Sequence, residues 1–161
     1  MAFMESMQAD IVSRHRATLG EGPFWWRNQL HYLDIMNRKM LVLEGRQSTV
    51  FAEFPTQPGA IVPRETGGFA MAAEDGFSTL DDAGMIMDSL GDPQAGQGDT
   101  RFNDGKVAPD GSFYAGTMAY DATRPIAALY RLTADGDIQR LVDGVIISNG
   151  LAWRDGLFYY I

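Results

Sequence analysis

The sequence predicts an all-β protein, a β-propeller of four-stranded antiparallel blades, and three observations carry that prediction. Short apolar and aromatic runs separated by Gly, Asp and Asn turns fill the chain, and no helical period of about 3.6 persists anywhere. Between those runs stand Asp110-Gly111, Asp135-Gly136 and Asp155-Gly156, dipeptides that two-residue hairpins demand. The hairpins also recur: successive units start roughly 40 to 46 residues apart, the spacing of propeller blades. A β-sandwich with accidental regularity is the alternative that periodicity alone leaves open.

In chain order, the first hairpin pairs residues 24–26 with 30–35 across Arg27-Asn28-Gln29, and candidate strands at 39–43 and 49–54 complete the unit. The second pairs 60–63 with 69–73 around Gly67-Gly68. The third pairs 106–108 with 113–116 around Asp110-Gly111 and is followed by strands at 128–132 and 138–142. The fourth pairs 151–153 with 157–161, and the sequence ends there. A blade cannot bury both faces without neighbours on either side. Residues 11–161 are therefore expected to form a partial propeller of about three blades and the start of a fourth, behind a flexible N-terminus at 1–10. A second chain or copy is the expected partner for closing the ring, and residues 11–16 are expected to form an outer strand latching onto a final blade.

Composition narrows the function. A 45% apolar content in 161 residues supports a real core. With no cysteine, disulfides, thiolate metal sites and cysteine nucleophiles are excluded together. Any metal must then be held by oxygen or imidazole, and the two histidines read as structural or solvent-exposed: His31 lies in an apparent strand and His15 among arginines. A formal charge of −8 argues against nucleic acid and anionic membrane as partners. There is no apolar run of about 18 residues to span a bilayer, and the first residues lack the basic and apolar regions of a secretory signal. The expectation is a soluble, cytoplasmic protein that handles a neutral small molecule or a cation.

Three polar residues fall just before the innermost strand of their units: Glu21, Asn103 and Asn149. In a propeller those positions crowd around the central channel, where one carboxylate and amide oxygens suit a hard divalent cation. The plain alternative is that Asn149-Gly150 and Asn103-Asp104-Gly105 are turns, and spacing leaves both readings open. The segment 88–104, with Asp92 and Asp99 among Gly and Pro, lacks the spacing of an EF-hand loop and reads as a flexible lid or connector. Asp81-Asp82 reads as a solvated turn, and the nine scattered methionines as core filling.

The strings Leu19-Gly20-Glu21-Gly22-Pro23, Arg101-Phe102-Asn103-Asp104-Gly105-Lys106-Val107, Ala115-Gly116-Thr117-Met118 and Ile147-Ser148-Asn149-Gly150-Leu151-Ala152-Trp153 resemble the N-terminal portion of one family. It groups senescence marker protein, gluconolactonase and luciferin-regenerating enzyme. The resemblance implies a six-bladed propeller, of which this chain would supply a little over half, and metal-dependent hydrolysis of a sugar lactone. It also implies one divalent metal ion (Ca, Zn, Mg, Mn or Fe(II)), with Glu21 and Asn149 similar to two of its ligands. Arg101, Asn103 and Asp121 resemble residues that hold the sugar, and the general-base aspartate is expected beyond residue 161. The alternative from another class is a noncatalytic propeller module that binds a divalent ion or a protein partner.

Overall fold

The computed structural model describes residues 8–161. They contain fourteen strands and no helix. Three four-stranded antiparallel sheets of the kind that make propeller blades follow one another along the chain, each in simple meander order. The first holds β1 (Gly20–Trp26), β2 (Gln29–Asp34), β3 (Lys39–Glu44) and β4 (Gln47–Glu53). The second holds β5 (Pro58–Pro63), β6 (Phe69–Ala73), β7 (Gly76–Leu80) and β8 (Ile86–Gly91). The third holds β9 (Thr100–Val107), β10 (Phe113–Ala119), β11 (Ala127–Leu132) and β12 (Ile138–Val145). A two-stranded hairpin, β13 (Leu151–Arg154) with β14 (Leu157–Tyr160), comes last.

The sheets stack through apolar layers, and β6 shows how the sequence encodes the stacking. Its five residues are all buried because alternate side chains serve opposite faces, as the two-residue period of a strand requires. Phe69, Met71 and Ala73 pack with Leu33, Ile35, Met40 and Ile61 between the first and second sheets. Ala70 and Ala72 instead join Phe77, Phe102, Phe113 and Tyr130 between the second and third. A third layer begins where Tyr114 meets Trp153 and Phe158, with ring centroids 5.1 and 5.4 Å apart. The outer strands β4, β8 and β12 are largely exposed, so their sequences alternate only weakly.

Several expectations are corrected. The segment 88–104 is no long lid: Asp88 belongs to β8, residues 100–104 belong to β9, and only 92–99 connect them. Asp88 is drawn into the sheet because its backbone N–H donates to Thr79 Oγ1 (3.2 Å) while the Thr79 hydroxyl donates to its carboxylate (3.3 Å). Residues 11–16 join none of these sheets, and the final blade expected to receive them is not among these sheets; they run beside the β3–β4 turn, where Arg46 donates to the Ile11 carbonyl (3.2 Å) and Ser13 Oγ lies 2.9 Å from Ser48 Oγ. The Asp81-Asp82 turn is exposed as expected but also bonded. Asp82 accepts from Gly68 N (2.7 Å) and pairs with Arg27 (2.6 Å), a residue held at φ 46° in the first hairpin turn and stacked over Trp26. Of the flexible stretch expected at 1–10, residues 1–7 lie outside the described residues.

Candidate functional site

Antiparallel pairing brings the start of each innermost strand beside the end of its neighbour: Gly20 pairs with Asp34, Pro58 with Ala73 and Thr100 with Ala119. One end of the sheets therefore collects the first residues of β1, β5 and β9, the turns that follow β2, β6 and β10, and the approach to β13. At that end each of the first three innermost strands carries a register shift. In β1 it falls at Gly22-Pro23, in β5 at Gly59, and in β9 at Asn103, which is skipped as pairing passes from Asp104 to Phe102. Bulges let a strand admit an extra residue without losing its partner, and they re-aim side chains. This explains a second correction: Glu21 and Asn103 lie inside β1 and β9 rather than just before them, because pairing continues past the bulge. Asn149 does precede β13.

Arg101 is the buried charge of this end, 6% exposed. Its Nη1 donates to its neighbour's carbonyl, Phe102 O (2.8 Å), and to Asn103 Oδ1 (3.0 Å). Burial pulls the guanidinium below its ordinary value, and the negative charges of Glu74 and Glu21 work the other way. It remains charged throughout. Asn103 is a strut as well as a candidate ligand: while Oδ1 accepts from Arg101, Nδ2 donates to the Ser148 carbonyl (2.8 Å). Asp104 Oδ2 accepts from Gly150 N (2.9 Å), so adjacent residues of β9 grip the chain on both sides of Asn149. Asn149 itself is exposed, and its backbone exchanges hydrogen bonds with Ile161 (2.8 and 3.1 Å). Glu21 is half-buried with Oε2 against Gly22 N (3.0 Å).

The structure thus brings Arg101, Asn103 and the Asn149 segment into one hydrogen-bonded unit, with Glu21 within electrostatic reach of Arg101. Asp121 is placed differently. It is exposed, its Oδ1 accepts from Thr123 N (2.9 Å) and Arg124 N (3.1 Å), and its Oδ2 pairs with the Arg124 side chain. Those bonds hold its carboxyl well below the usual carboxylate range, and no bond joins it to Arg101 or Asn103. Tyr120 and Glu74, joined by a hydrogen bond (2.8 Å), stand at the same end of the sheets. Sequence reasoning passed over both; the usable signal was that Glu74-Asp75 fills the turn after β6 at the same end.

The two residues expected to hold a cation, Glu21 and Asn149, carry oxygen donors, and Glu21 forms no ion pair with a Lys or Arg among the described residues. That donor chemistry fits a hard divalent ion. Two donors leave most of a coordination shell to water and other ligands, and no group of three His, Asp or Glu side chains forms a ready-made metal site among the described residues.

Residues 19–161 match the model of the SMP-30/gluconolactonase/LRE-like region. The chain belongs to that family. Regucalcin from Danio rerio is 34% identical, covering 98% of this chain and 56% of its own length. The 6-deoxy-6-sulfogluconolactonase of Pseudomonas putida is 36% identical, covering 88% of this chain and 50% of its own length. Among solved structures, a luciferin-regenerating enzyme superposes with a TM-score of 0.78 at 28% identity over 89% of this chain and 52% of that one. Regucalcin from Agrobacterium tumefaciens, described as a calcium-binding protein, superposes with a TM-score of 0.85 over 94% of this chain and 52% of that one; at 24% identity it shows the fold. The chain spans about half the length of the SMP-30/gluconolactonase relatives it matches. Among the described residues no helix is long and apolar enough to cross a membrane.

Proposed function

We propose that the protein hydrolyses a sugar lactone, gluconolactone or a related aldonolactone, to the aldonic acid, with one divalent metal ion, in a six-bladed propeller whose central channel opens at the end described above. The observation that carries this reading is the buried Arg101 guanidinium, braced by Asn103 beside oxygen donors that suit a hard cation. A lactone presents a carbonyl and several hydroxyls, and this end offers partners for both.

In this reading Glu21 and Asn149 hold the ion, which supplies Lewis-acid polarisation of the lactone carbonyl and acidification of water. The remaining roles belong to side chains. The guanidinium, with Nη1 already fixed, presents its other donors in a forked plane to sugar hydroxyls. Asn103 keeps one amide hydrogen for the same purpose, and Asp121 accepts from a hydroxyl at the rim. These contacts orient the ring, so that hydrolysis runs as an effectively intramolecular event. Water adds to the carbonyl carbon, the bond from that carbon to the ring oxygen breaks, and the released alkoxide takes up a proton. The general base is an aspartate outside these residues. Oxygen ligation accepts Ca, Mg, Mn, Zn or Fe(II) alike.

The test is acid release from glucono-1,5-lactone followed with a pH indicator, with and without a chelator, in wild type and Glu21→Gln. Chelator-sensitive turnover that is lost in the variant supports the reading. Turnover unchanged by E21Q removes Glu21 from the metal site, and no turnover above the spontaneous rate favours a noncatalytic module that binds an ion or a partner.

A further inference from the structure

Two exposed side chains from different sheets meet at the mouth of this site. The Tyr120 hydroxyl, just past β10, donates to Glu74 Oε1 (2.8 Å), which stands in the turn between β6 and β7. Both residues are anchored through the backbone. Tyr120 N donates to the Asp99 carbonyl (3.0 Å) and Glu74 N to the Gln57 carbonyl (2.9 Å), while Gln57 N donates back to Glu74 Oε2 (3.4 Å). The carboxylate is therefore fixed in place, and no Lys or Arg pairs with it among the described residues.

Arg101 lies deeper than this pair, 6% exposed against 44% for Tyr120, and the charges of Glu74 and Glu21 both act on it. With Glu21 committed to the ion, Glu74 is the carboxylate that offsets the charge of Arg101 at the mouth. Beside Glu74 runs a groove of about 310 Å³, lined by Asp92, Gln94, Gln97 and Thr100 with two glycines. Its walls hold two carboxylates, two carboxamides and a hydroxyl, without a cation. Such a surface offers donors and acceptors to hydroxyl groups and raises the energy of a negative charge brought close.

The geometry points to Glu74 and Tyr120 as the specificity-determining pair of this site: they select a lactone whose carbon chain beyond the ring bears neutral hydroxyls, and disfavour one bearing a phosphate or sulfonate. The inference rests on the lactonase reading. Tyr120 holds the Glu74 carboxylate at the mouth, and burial together with that carboxylate pushes the phenol up to about 12, so it stays a donor at neutral pH.

The experiment compares kcat/KM for glucono-1,5-lactone and for its 6-phosphate in the full-length, metal-loaded protein, as wild type, Glu74→Gln and Tyr120→Phe. Wild type is expected to favour the neutral lactone. E74Q should shift the ratio toward the phosphate by about five- to tenfold, the effect of removing one charge about 8 Å from the phosphate in a surface site. Y120F, which frees the carboxylate without removing it, should shift the ratio in the same direction by less. A ratio unchanged in E74Q overturns the proposal and leaves the lactonase reading standing; a ratio unchanged in Y120F alone removes Tyr120 from the pair. If no protein hydrolyses either lactone, the lactonase reading fails. The pair is then judged by calorimetric affinities for glucitol and glucitol 6-phosphate: the same shift in E74Q supports it and an unchanged ratio overturns it.

Discussion

Replacing Gly59 by alanine tests the packing that positions the whole site. Gly59 is the extra residue of the bulge in β5, and its backbone lies against β9 of the next sheet. A Cβ built there would stand 2.3 Å from the Phe102 carbonyl carbon, 2.4 Å from its oxygen and 2.7 Å from Asn103 N. These are backbone atoms, so no side-chain rotation relieves the clash, and β5 and β9 must move apart. The Phe102 oxygen also anchors Arg101 Nη1 (2.8 Å), which couples the displacement to the site. Overpacking of this kind costs about 1–3 kcal/mol. At about 2–4 °C per kcal/mol for a protein of this size, Gly59→Ala should lower Tm by about 2–12 °C. Circular dichroism measures the change, and Gly98→Ala is the control, because a Cβ there meets nothing within 4 Å. Its stability should stay within about 0.5 kcal/mol of wild type. Equal melting temperatures for both variants and wild type would refute the close approach of the two innermost strands.

Two further outcomes are expected. Arg101→Lys keeps the charge and a nitrogen that can serve Phe102 O and Asn103 Oδ1, as Nη1 does, but loses the planar fork left to meet sugar hydroxyls; a charge-assisted hydrogen bond is worth about 1.5–3 kcal/mol, so kcat/KM should fall roughly 10- to 150-fold, mainly through KM, and unchanged kinetics would show that charge alone matters. His31, fully buried among Phe24, Trp26 and Phe51 with Nε2 unpartnered, is held below its ordinary value by burial. Its neutral form is the one the fold tolerates. The resulting stability is complete above about pH 6.5 and is lost as pH falls through that value toward the folded one, at up to about 1.4 kcal/mol per pH unit. Denaturant melts at pH 7.5 and 5.5 should show the loss in wild type and a smaller one in His31→Leu; equal slopes would remove His31 as the cause.

The inner hairpins were readable in the sequence because they carry apolar runs closed by turn residues, and all four stand where the turns put them. The outer strands of the second sheet were not readable individually. In β7, Ser78 and Thr79 occupy buried positions, and in β8 every side chain from Ile86 to Ser89 is exposed, so neither strand alternates as a half-buried strand should. Asp88 and the glycines around it then passed for a loop, although the Thr79–Asp88 bonds hold that stretch in the sheet.

The site was half legible for a related reason. Glu21, Asn103 and Asn149 attract notice as polar residues among apolar runs, while Arg101 stands out only through the family resemblance; the bulges that aim the strand residues do not attract notice, since two of the three fall at Gly22 and Gly59. A glycine inside a strand pattern is the available sign of a bulge or a close backbone approach, and Gly59 is both. At the third bulge stands Asn103, whose amide takes over the bracing that pairing gives up: one side to Arg101, the other to Ser148 O. Composition and spacing offered only a choice between turn and ligand for this residue. Its place at a bulge shows why an amide serves better there than a carboxylate, which would accept from Arg101 but has no hydrogen to donate to the segment that carries Asn149.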